Sequence, residues 1–303
     1  MAGRSRAIAM MSTAVLGVGL IPATASATPS ASTANCVVST GSVTAGGDHR
    51  SQLVISTSPP TVRPPTIGAP NLYADGLARL SSSFQVQDDG YGGYRANGYV
   101  VLGDSLYGTG YTVMDGVLHG GLGPRIGGGW STFTALEEAE YQGPTDPGVT
   151  RTNMYALRND GVLFRWTVDR GVWRNKVSAP GFAAVKSMVL ISKTKTYDTF
   201  LANTRGGALY TIHIPTTSPM KPVVKLVRRS TWQGFEAMLG QMCGRYGTVL
   251  LGIDKDTKTG YLYAVGHANG LATVIQGLGK VPASFGDPVY FRWKDWGAPL
   301  FGE

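Results

Sequence analysis

Five phenylalanines recur at nearly equal intervals, and this repeat restricts the chain to a repetitive architecture. They are Phe84, Phe133, Phe182, Phe235 and Phe285, spaced 49 to 53 residues apart. Each of the first four is followed by a turn and a Leu-aromatic pair, at Leu106-Tyr107, Leu163-Phe164, Leu209-Tyr210 and Leu262-Tyr263. The Gly and Asp residues of these turns suit tight hairpins. Repeats of this length made of short β-prone runs are typical of β-propeller blades.

The composition supports an all-β fold and excludes two other classes. The chain has 303 residues, of which 42 are Gly and 17 are Pro, and both residue types oppose long helices. Hydrophobic residues make up 43% and charged residues 15%, which is too apolar for a disordered protein. The sequence therefore predicts a folded chain of short strands.

The last repeat is incomplete, because Phe285 lies close to the C-terminal residue Glu303. A β-prone segment at residues 36–55 precedes the first repeat and can supply the missing strands. We expect a five-bladed β-propeller in which repeats occupy 72–303 and N-terminal strands complete the last blade. A ring closed in this way leaves no free sheet edge. The Pro-rich residues 56–71 are expected to form an extended connection.

The N-terminus has the layout of a secretory signal. Arg4 and Arg6 precede an uncharged stretch from Ala7 to Leu20, and Ala25-Ser26-Ala27 forms a cleavage site. The stretch is shorter than the roughly 20 apolar residues of a membrane anchor, which is the alternative. We expect residues 1–27 to be removed and 28–303 to form one secreted domain without membrane insertion.

Two cysteines, Cys36 and Cys243, lie in the mature chain. Exported proteins with two cysteines usually pair them, so we expect a disulfide between these residues. The alternative is a pair of buried free thiols. A disulfide would hold the N-terminal segment against the fourth and fifth repeats.

Charge and histidine placement argue against several kinds of partner. The formal net charge is +8, and it falls when Arg4 and Arg6 leave with the signal. The mature chain has a single adjacent basic pair, Arg228-Arg229, so nucleic-acid binding is not expected. The four histidines are far apart in sequence, and no metal site or cofactor is predicted.

The segment Ile126–Leu136, I-G-G-G-W-S-T-F-T-A-L, resembles the blade signature of the tachylectin-2 family of five-bladed β-propeller lectins. Residues 232–238 carry a weaker version. The resemblance implies binding of N-acetylated amino sugars between blades, with Gly128, Gly129, Trp130 and Trp232 as ligand-binding residues. Only one repeat keeps the complete Gly-Gly-Trp, which implies about two sugar sites rather than five. Alternatively, both tryptophans pack between blades without contacting a ligand.

The sequence also permits two other functions. Residues 100–106 resemble the first block of GDSL esterases, in which Ser105 would be the nucleophile of a secreted hydrolase. The other blocks of that family, which supply its base and oxyanion hole, are missing, so no catalytic residue is expected. The third possibility is a propeller that binds other proteins.

Two further segments contain carboxylates, and we expect neither to form a catalytic or metal site. Glu137, Glu138 and Glu140 are expected to form a solvated acidic patch rather than a glycosidase pair. Residues 254–260 are expected to form a hairpin tip rather than a calcium loop, because Lys258 occupies a ligand position.

Overall fold

The computed structural model describes residues 35–143 and 150–303, which belong to one compact unit. The expected signal peptide lies outside these residues. Within them, strands predominate, and two short 3-10 helices occur at Trp130–Thr132 and Gly270–Ala272. No helix in the described ranges is long and apolar enough to span a membrane.

The N-terminal third of the described chain contains nine strands. They are β1 (Val37–Val43), β2 (His49–Ile55), β3 (Thr61–Val62), β4 (Thr66–Ala69), β5 (Ala78–Ser81), β6 (Phe84–Asp88), β7 (Tyr94–Leu102), β8 (Ser105–Met114) and β9 (Val117–Gly128). The remaining strands are β10 (Phe133–Gln142), β11 (Thr150–Arg158), β12 (Leu163–Asp169), β13 (Val172–Ala179), β14 (Val185–Lys193), β15 (Tyr197–Thr204), β16 (Leu209–Pro215), β17 (Val223–Arg228), β18 (Ala237–Cys243), β19 (Gly247–Asp254), β20 (Thr259–Val265), β21 (Ile275–Lys280) and β22 (Val289–Asp295).

Three antiparallel sheets of four strands follow one another along the chain. Their orders are β10-β11-β12-β13, β14-β15-β16-β17 and β18-β19-β20-β21. The predicted Leu-aromatic pairs lie in β8, β12, β16 and β20, so the four pairs occupy matching strands. The repeat in the sequence is therefore a repeat of antiparallel hairpins.

A fourth sheet contains both ends of the described chain. Its main path runs β3-β2-β1-β22-β6-β7-β8-β9, with β4 paired to β2 and β5 paired to β7. The N-terminal strand β1 pairs antiparallel with the last strand, and Thr40 lies opposite Arg292. On its other side β22 pairs in parallel with β6, where Trp293 lies opposite Phe84. The N-terminal strands β1 and β2 thus lie on one side of β22, and β6 lies on its other side.

The Pro-rich segment also contributes strands, which the sequence did not predict. Both β3 and β4 lie within 56–71 and pair with β2. They are only two and four residues long. Proline lacks a backbone N–H, so it is tolerated at a sheet edge, where one side of the strand needs no partner.

Five strands contact one another in a cyclic series: β10, β14 and β18, each the first strand of a four-stranded sheet, and β5 and β22 of the ten-stranded sheet. The contacts are β5 with β10, β10 with β14, β14 with β18, β18 with β22, and β22 with β5. A cavity of about 110 Å³ is lined by residues of all five of these strands. These five strands, which we call the inner strands, therefore surround one cavity.

One backbone hydrogen bond recurs where the chain passes from one group of hairpins to the next. An N–H of the connecting segment donates to a carbonyl of the preceding hairpin turn. The five pairs are Tyr73 to Gly47 (3.2 Å), Trp130 to Asp104 (3.1 Å), Phe182 to Gly161 (2.9 Å), Trp232 to Gly207 (3.0 Å) and Phe285 to Lys258 (2.9 Å).

The repeated phenylalanines pack beside these junctions against glycines. A Cβ atom at Gly98 would lie 2.6 Å from the Phe84 ring, and one at Gly252 would lie 2.8 Å from the Phe235 ring. Such distances are far below van der Waals contact, so glycine is required for the ring to approach the strand. Four of the five repeated phenylalanines, Phe84, Phe182, Phe235 and Phe285, are buried, whereas Phe133 is half-buried.

Cys36 and Cys243 form a disulfide, with their Cα atoms 5.4 Å apart. The bond connects the residue before β1 with the last residue of β18, across 207 positions of sequence. Apolar residues of the two regions, including Val38 and Leu239, share one core cluster. The disulfide therefore reinforces an existing contact between sheets.

Replacing both cysteines by serine is expected to lower the free energy of unfolding by about 3 to 5 kcal/mol, because the crosslink restricts a long loop of the unfolded chain. Denaturant titration of the double variant and of the unmodified protein measures this difference. A change below about 1 kcal/mol would contradict the expectation.

His49 is completely buried in an aromatic cage. The rings of Tyr73, Phe84, Tyr111, Phe291 and Trp293 surround the imidazole at centroid distances of 4.6 to 5.8 Å. Its Nε2 atom has no hydrogen-bond partner among the described residues. Burial lowers the pKa of His49 to about 3, so the folded protein holds this side chain neutral.

Because the unfolded chain protonates His49 near pH 6.5 and the folded chain near 3, stability is expected to fall as pH decreases between these values. The slope contributed by His49 is about 1.4 kcal/mol per pH unit. Denaturant titrations from pH 7 to pH 4 test this, with His49→Leu expected to flatten the profile. His119→Leu, at an exposed position on β9, is the control and should leave the slope unchanged.

Candidate functional site

The segment with the lectin-like signature connects β9 to β10. Gly129 adopts the left-handed conformation with φ of 80°, and Trp130 then begins the short 3-10 helix. A β-carbon is disfavoured at this backbone angle, which accounts for glycine at the point where the chain turns. Gly128 and Gly129 are both exposed, whereas Trp130 is 6% exposed.

Asp104 fixes this segment from the hairpin turn between β7 and β8. Its Oδ2 accepts a hydrogen bond from the Gly129 N–H at 3.0 Å, and its Oδ1 accepts one from the Ser131 N–H at 2.7 Å. Hydrogen bonds from the Ser131 side chain and from these two amides hold the pKa of Asp104 below its usual value. The carboxylate therefore stays ionised and keeps the glycine segment in place.

A cleft of about 410 Å³ opens beside this segment. We call it the aromatic cleft, and its lining consists of Ile126, Gly127, Gly128, Gly129, Trp130, Thr132, Phe133, Arg158, Phe164, Trp166, Trp173 and Lys176. Strands β12 and β13 supply the wall opposite the glycines. The cleft thus joins the connecting segment to the outer part of the following sheet.

Five aromatic rings form the wall of the cleft. Trp130 packs against Phe133 with ring centroids 4.4 Å apart, and against Trp166 and Trp173 at 6.0 Å each. Trp166 and Trp173 are half-buried, unlike Trp130. Trp130 therefore supports the wall, and the other two tryptophans expose more of their rings.

No sequence motif predicts a functional role for Trp166, Trp173 or Lys176. Phe164 and Trp166 are two positions apart on β12, so their side chains share one face of the strand. That alternation is visible in the sequence. The meeting of this face with Trp130 depends on packing between segments, which spacing along the chain does not reveal.

Two cations border the aromatic rings. The Lys176 ammonium lies 4.6 Å from the Phe164 ring centroid and 5.6 Å from that of Trp166. Arg158 lies over Phe164 at 5.2 Å and donates to both carboxylate oxygens of Asp160 at 3.0 and 2.6 Å. The electrostatic character of the cleft is therefore basic.

Trp232, the fourth predicted ligand-binding residue, lies at another junction. Its exposed fraction is 5%, and it belongs to a core cluster with Phe235 and Val265. Its ring packs 4.9 Å from that of Tyr263. The structure therefore brings together Gly128, Gly129 and Trp130 and places Trp232 apart from them.

Ser105, the nucleophile of the alternative hydrolase, is the first residue of β8. Its Oγ accepts a hydrogen bond from Arg125 Nε at 3.0 Å. A guanidinium is always protonated and cannot accept the serine proton, so this partner does not act as a general base. The preceding Gly103 and Asp104 form a hairpin turn, as the repeat predicts.

The expectation of a solvated acidic patch on β10 is wrong. Glu137 lies 3.7 Å from Arg292, and Lys294 lies 2.7 Å from Glu138 and 3.2 Å from Glu140. These cations belong to β22, so the carboxylates pair across the inner strands and are largely buried. An isolated charge would be costly there, which explains the pairing.

The calcium-like segment is a hairpin tip between β19 and β20, as expected. Asp254 Oδ1 accepts a hydrogen bond from the Thr257 N–H at 2.9 Å. Within residues 35–143 and 150–303, no group of three or more His, Cys, Asp or Glu side chains is placed to hold a metal ion.

Two lectins are among the solved structures to which this chain is similar. A mutant of the Aleuria aurantia lectin AAL in complex with Fucα1-6GlcNAc is 13% identical, with 80% of this chain and 77% of that chain covered and a TM-score of 0.41. The SapL1 lectin in complex with α-methyl fucoside is 10% identical, with 82% and 97% covered and a TM-score of 0.38. At these values the likenesses assign neither a ligand nor a blade count.

No protein-family model matches the chain, and no curated protein matches it.

Replacing Asp104 by alanine is expected to lower the free energy of unfolding measurably, because the Gly129 and Ser131 amides lose their acceptor. Denaturant titration measures the change. Asp169→Ala, at an exposed carboxylate ending β12, is the control with an expected change below about 0.5 kcal/mol. Equal effects of the two substitutions would contradict the role of Asp104.

Proposed function

We propose that this protein is a secreted five-bladed β-propeller that binds carbohydrate in the aromatic cleft and does not transform it. The observation that carries the proposal is the cleft itself, in which half-exposed indole rings face a rim of exposed glycine backbone. Sugars present apolar C–H faces together with many hydroxyl groups. A site with aromatic faces and accessible backbone matches both properties.

The five-bladed architecture is supported by the arrangement of strands. Strands β5, β10, β14, β18 and β22 line one central cavity, and the same type of backbone hydrogen bond recurs at five junctions. On this interpretation β22, β1 and β2 form the last blade, with β3 and β4 at its outer edge. The N-terminal strands then close the ring and leave few exposed sheet edges.

Secretion is supported by the signal-like residues 1–27 and by the disulfide. Cytosolic proteins rarely retain disulfides, whereas exported proteins commonly do. An exported sugar-binding protein would meet glycans of cell surfaces and of the extracellular matrix.

N-acetylated amino sugars are the ligands that the resemblance to the tachylectin-2 signature implies. An acetamido group has an apolar methyl, which can pack on indole, and an amide, which can bond with backbone groups. Gly128 is exposed and has no side chain, so a ligand amide can approach its backbone closely. We assign this part of the site to Gly128, Gly129 and Trp130, and extend it by Trp166 and Trp173.

Trp232 is proposed as the second site implied by the sequence, at the junction before β18. Its low exposure means that a sugar there would contact mainly the rim around it. Trp232→Ala therefore distinguishes two sugar sites from one, because loss of one site would lower the measured binding stoichiometry.

The direct test is binding of residues 28–303 to a glycan array, followed by titration in solution with the glycans that the protein binds on the array. Trp173→Ala is expected to weaken binding about 5- to 150-fold, because loss of an aromatic stacking surface costs about 1 to 3 kcal/mol. Trp296→Ala is the matched control, since Trp296 is 52% exposed and lies outside the cleft. If a protein shown to be folded binds no glycan on the array, the proposal of carbohydrate binding is wrong.

A further inference from the structure

The aromatic cleft carries positive charge, and its lining contains no carboxylate. Of its two charged lining residues, Arg158 is already bonded to Asp160 through two hydrogen bonds. Lys176 has no carboxylate within ion-pair distance among residues 35–143 and 150–303. The cleft therefore contains one lysine whose charge is not compensated by the protein.

The position of Lys176 decides which ligand fits. Its ammonium lies over the Phe164 and Trp166 rings, where cation–π attraction holds it. A neutral sugar stacking on these faces would have to displace the ammonium. A ligand with an anionic substituent could instead bind the ammonium where it lies and stack on the half-exposed Trp173.

The glycine edge of the cleft adds a third cation, Arg125. A Cβ atom at Gly128 would lie 2.6 Å from Arg125 Nη2, so the guanidinium lies directly against this glycine. The nearby Asp104 carboxylate is committed to the Gly129 and Ser131 amides. Within residues 35–143 and 150–303, Arg125 donates through Nε to Ser105 and its Nη atoms have no hydrogen-bond acceptor. A ligand that reaches Gly128 therefore meets a guanidinium that can donate to a planar anion.

We infer that the ligand of the aromatic cleft is an acidic glycan, in which a carboxylate or sulfate on or next to the stacked sugar binds Lys176. This inference rests on the proposed carbohydrate binding and specifies its ligand class. Ammonium and guanidinium groups bind both kinds of anion through charge-assisted hydrogen bonds. The positive charge of the cleft disfavours unmodified cationic amino sugars.

Calorimetric titration with three matched disaccharides tests the inference. The first is a neutral disaccharide of N-acetylglucosamine and a second neutral sugar. In the second disaccharide a uronic acid replaces that second sugar, and in the third a sulfate is attached to it. At about 50 mM salt, at least one acidic form is expected to bind about tenfold more tightly than the neutral form. Near 1 M salt the preference should shrink, because the Debye length falls to about 3 Å.

Lys176→Gln is the decisive variant and is expected to weaken binding of the acidic disaccharide about five- to tenfold, with less than a twofold effect on the neutral one. Lys225→Gln removes the same charge from an exposed position on β17, the last strand of another sheet, and should change neither affinity. Lys176→Arg should restore most of the preference. Thermal unfolding of each variant establishes that it is folded.

Equal affinities for the acidic and neutral disaccharides would overturn the inference and leave carbohydrate binding intact. An effect of Lys176→Gln no larger than that of Lys225→Gln would also overturn it. Failure of the folded protein to bind any of the three disaccharides or the array would instead refute the proposed function. A preference for carboxylate or for sulfate identifies which acidic group is the natural determinant.

Discussion

The antiparallel pairing of β1 with β22 is the contact on which the rest of the structure depends. It joins residues from the two ends of the described chain, with Val43 opposite Val289, and gives the first half of β22 a hydrogen-bonded neighbour. Bringing such distant segments together costs loop entropy, which the shared apolar cluster and the Cys36–Cys243 disulfide offset. Without this pairing, β1 and β22 would each expose an unpaired edge.

The junctions between sheets show how a repeated backbone can carry side chains of different character. Each junction has the same N–H to carbonyl hydrogen bond, so the main chain follows a common path. Side chains then distinguish the junctions. Where β9 leads to β10, Asp104 holds an exposed glycine segment beside Trp166 and Lys176, whereas Trp232 at its junction packs into apolar core.

The inner strands carry a buried network of charges. Lys294 is 3% exposed in its side chain and pairs with Glu138 and Glu140 of a different inner strand. Breaking one partner of such a pair leaves a buried charge without compensation, although the intact pair contributes little net stability. Charge pairing between β10 and β22 thus favours one relative placement of these strands, and the proposed ring needs such a placement.

The sequence by itself determined the elements whose information is local. The Leu-aromatic strands and the Gly103-Asp104 turn follow from alternation and backbone preference within a few residues. The regular spacing of the phenylalanines shows that these local elements repeat along the chain. Only the tertiary structure decided which distant side chains meet: Trp130 with Trp173, and Glu138 with Lys294. Those contacts depend on how the sheets pack against one another. Residue type and spacing along the chain describe only near neighbours in sequence, so they do not predict this packing.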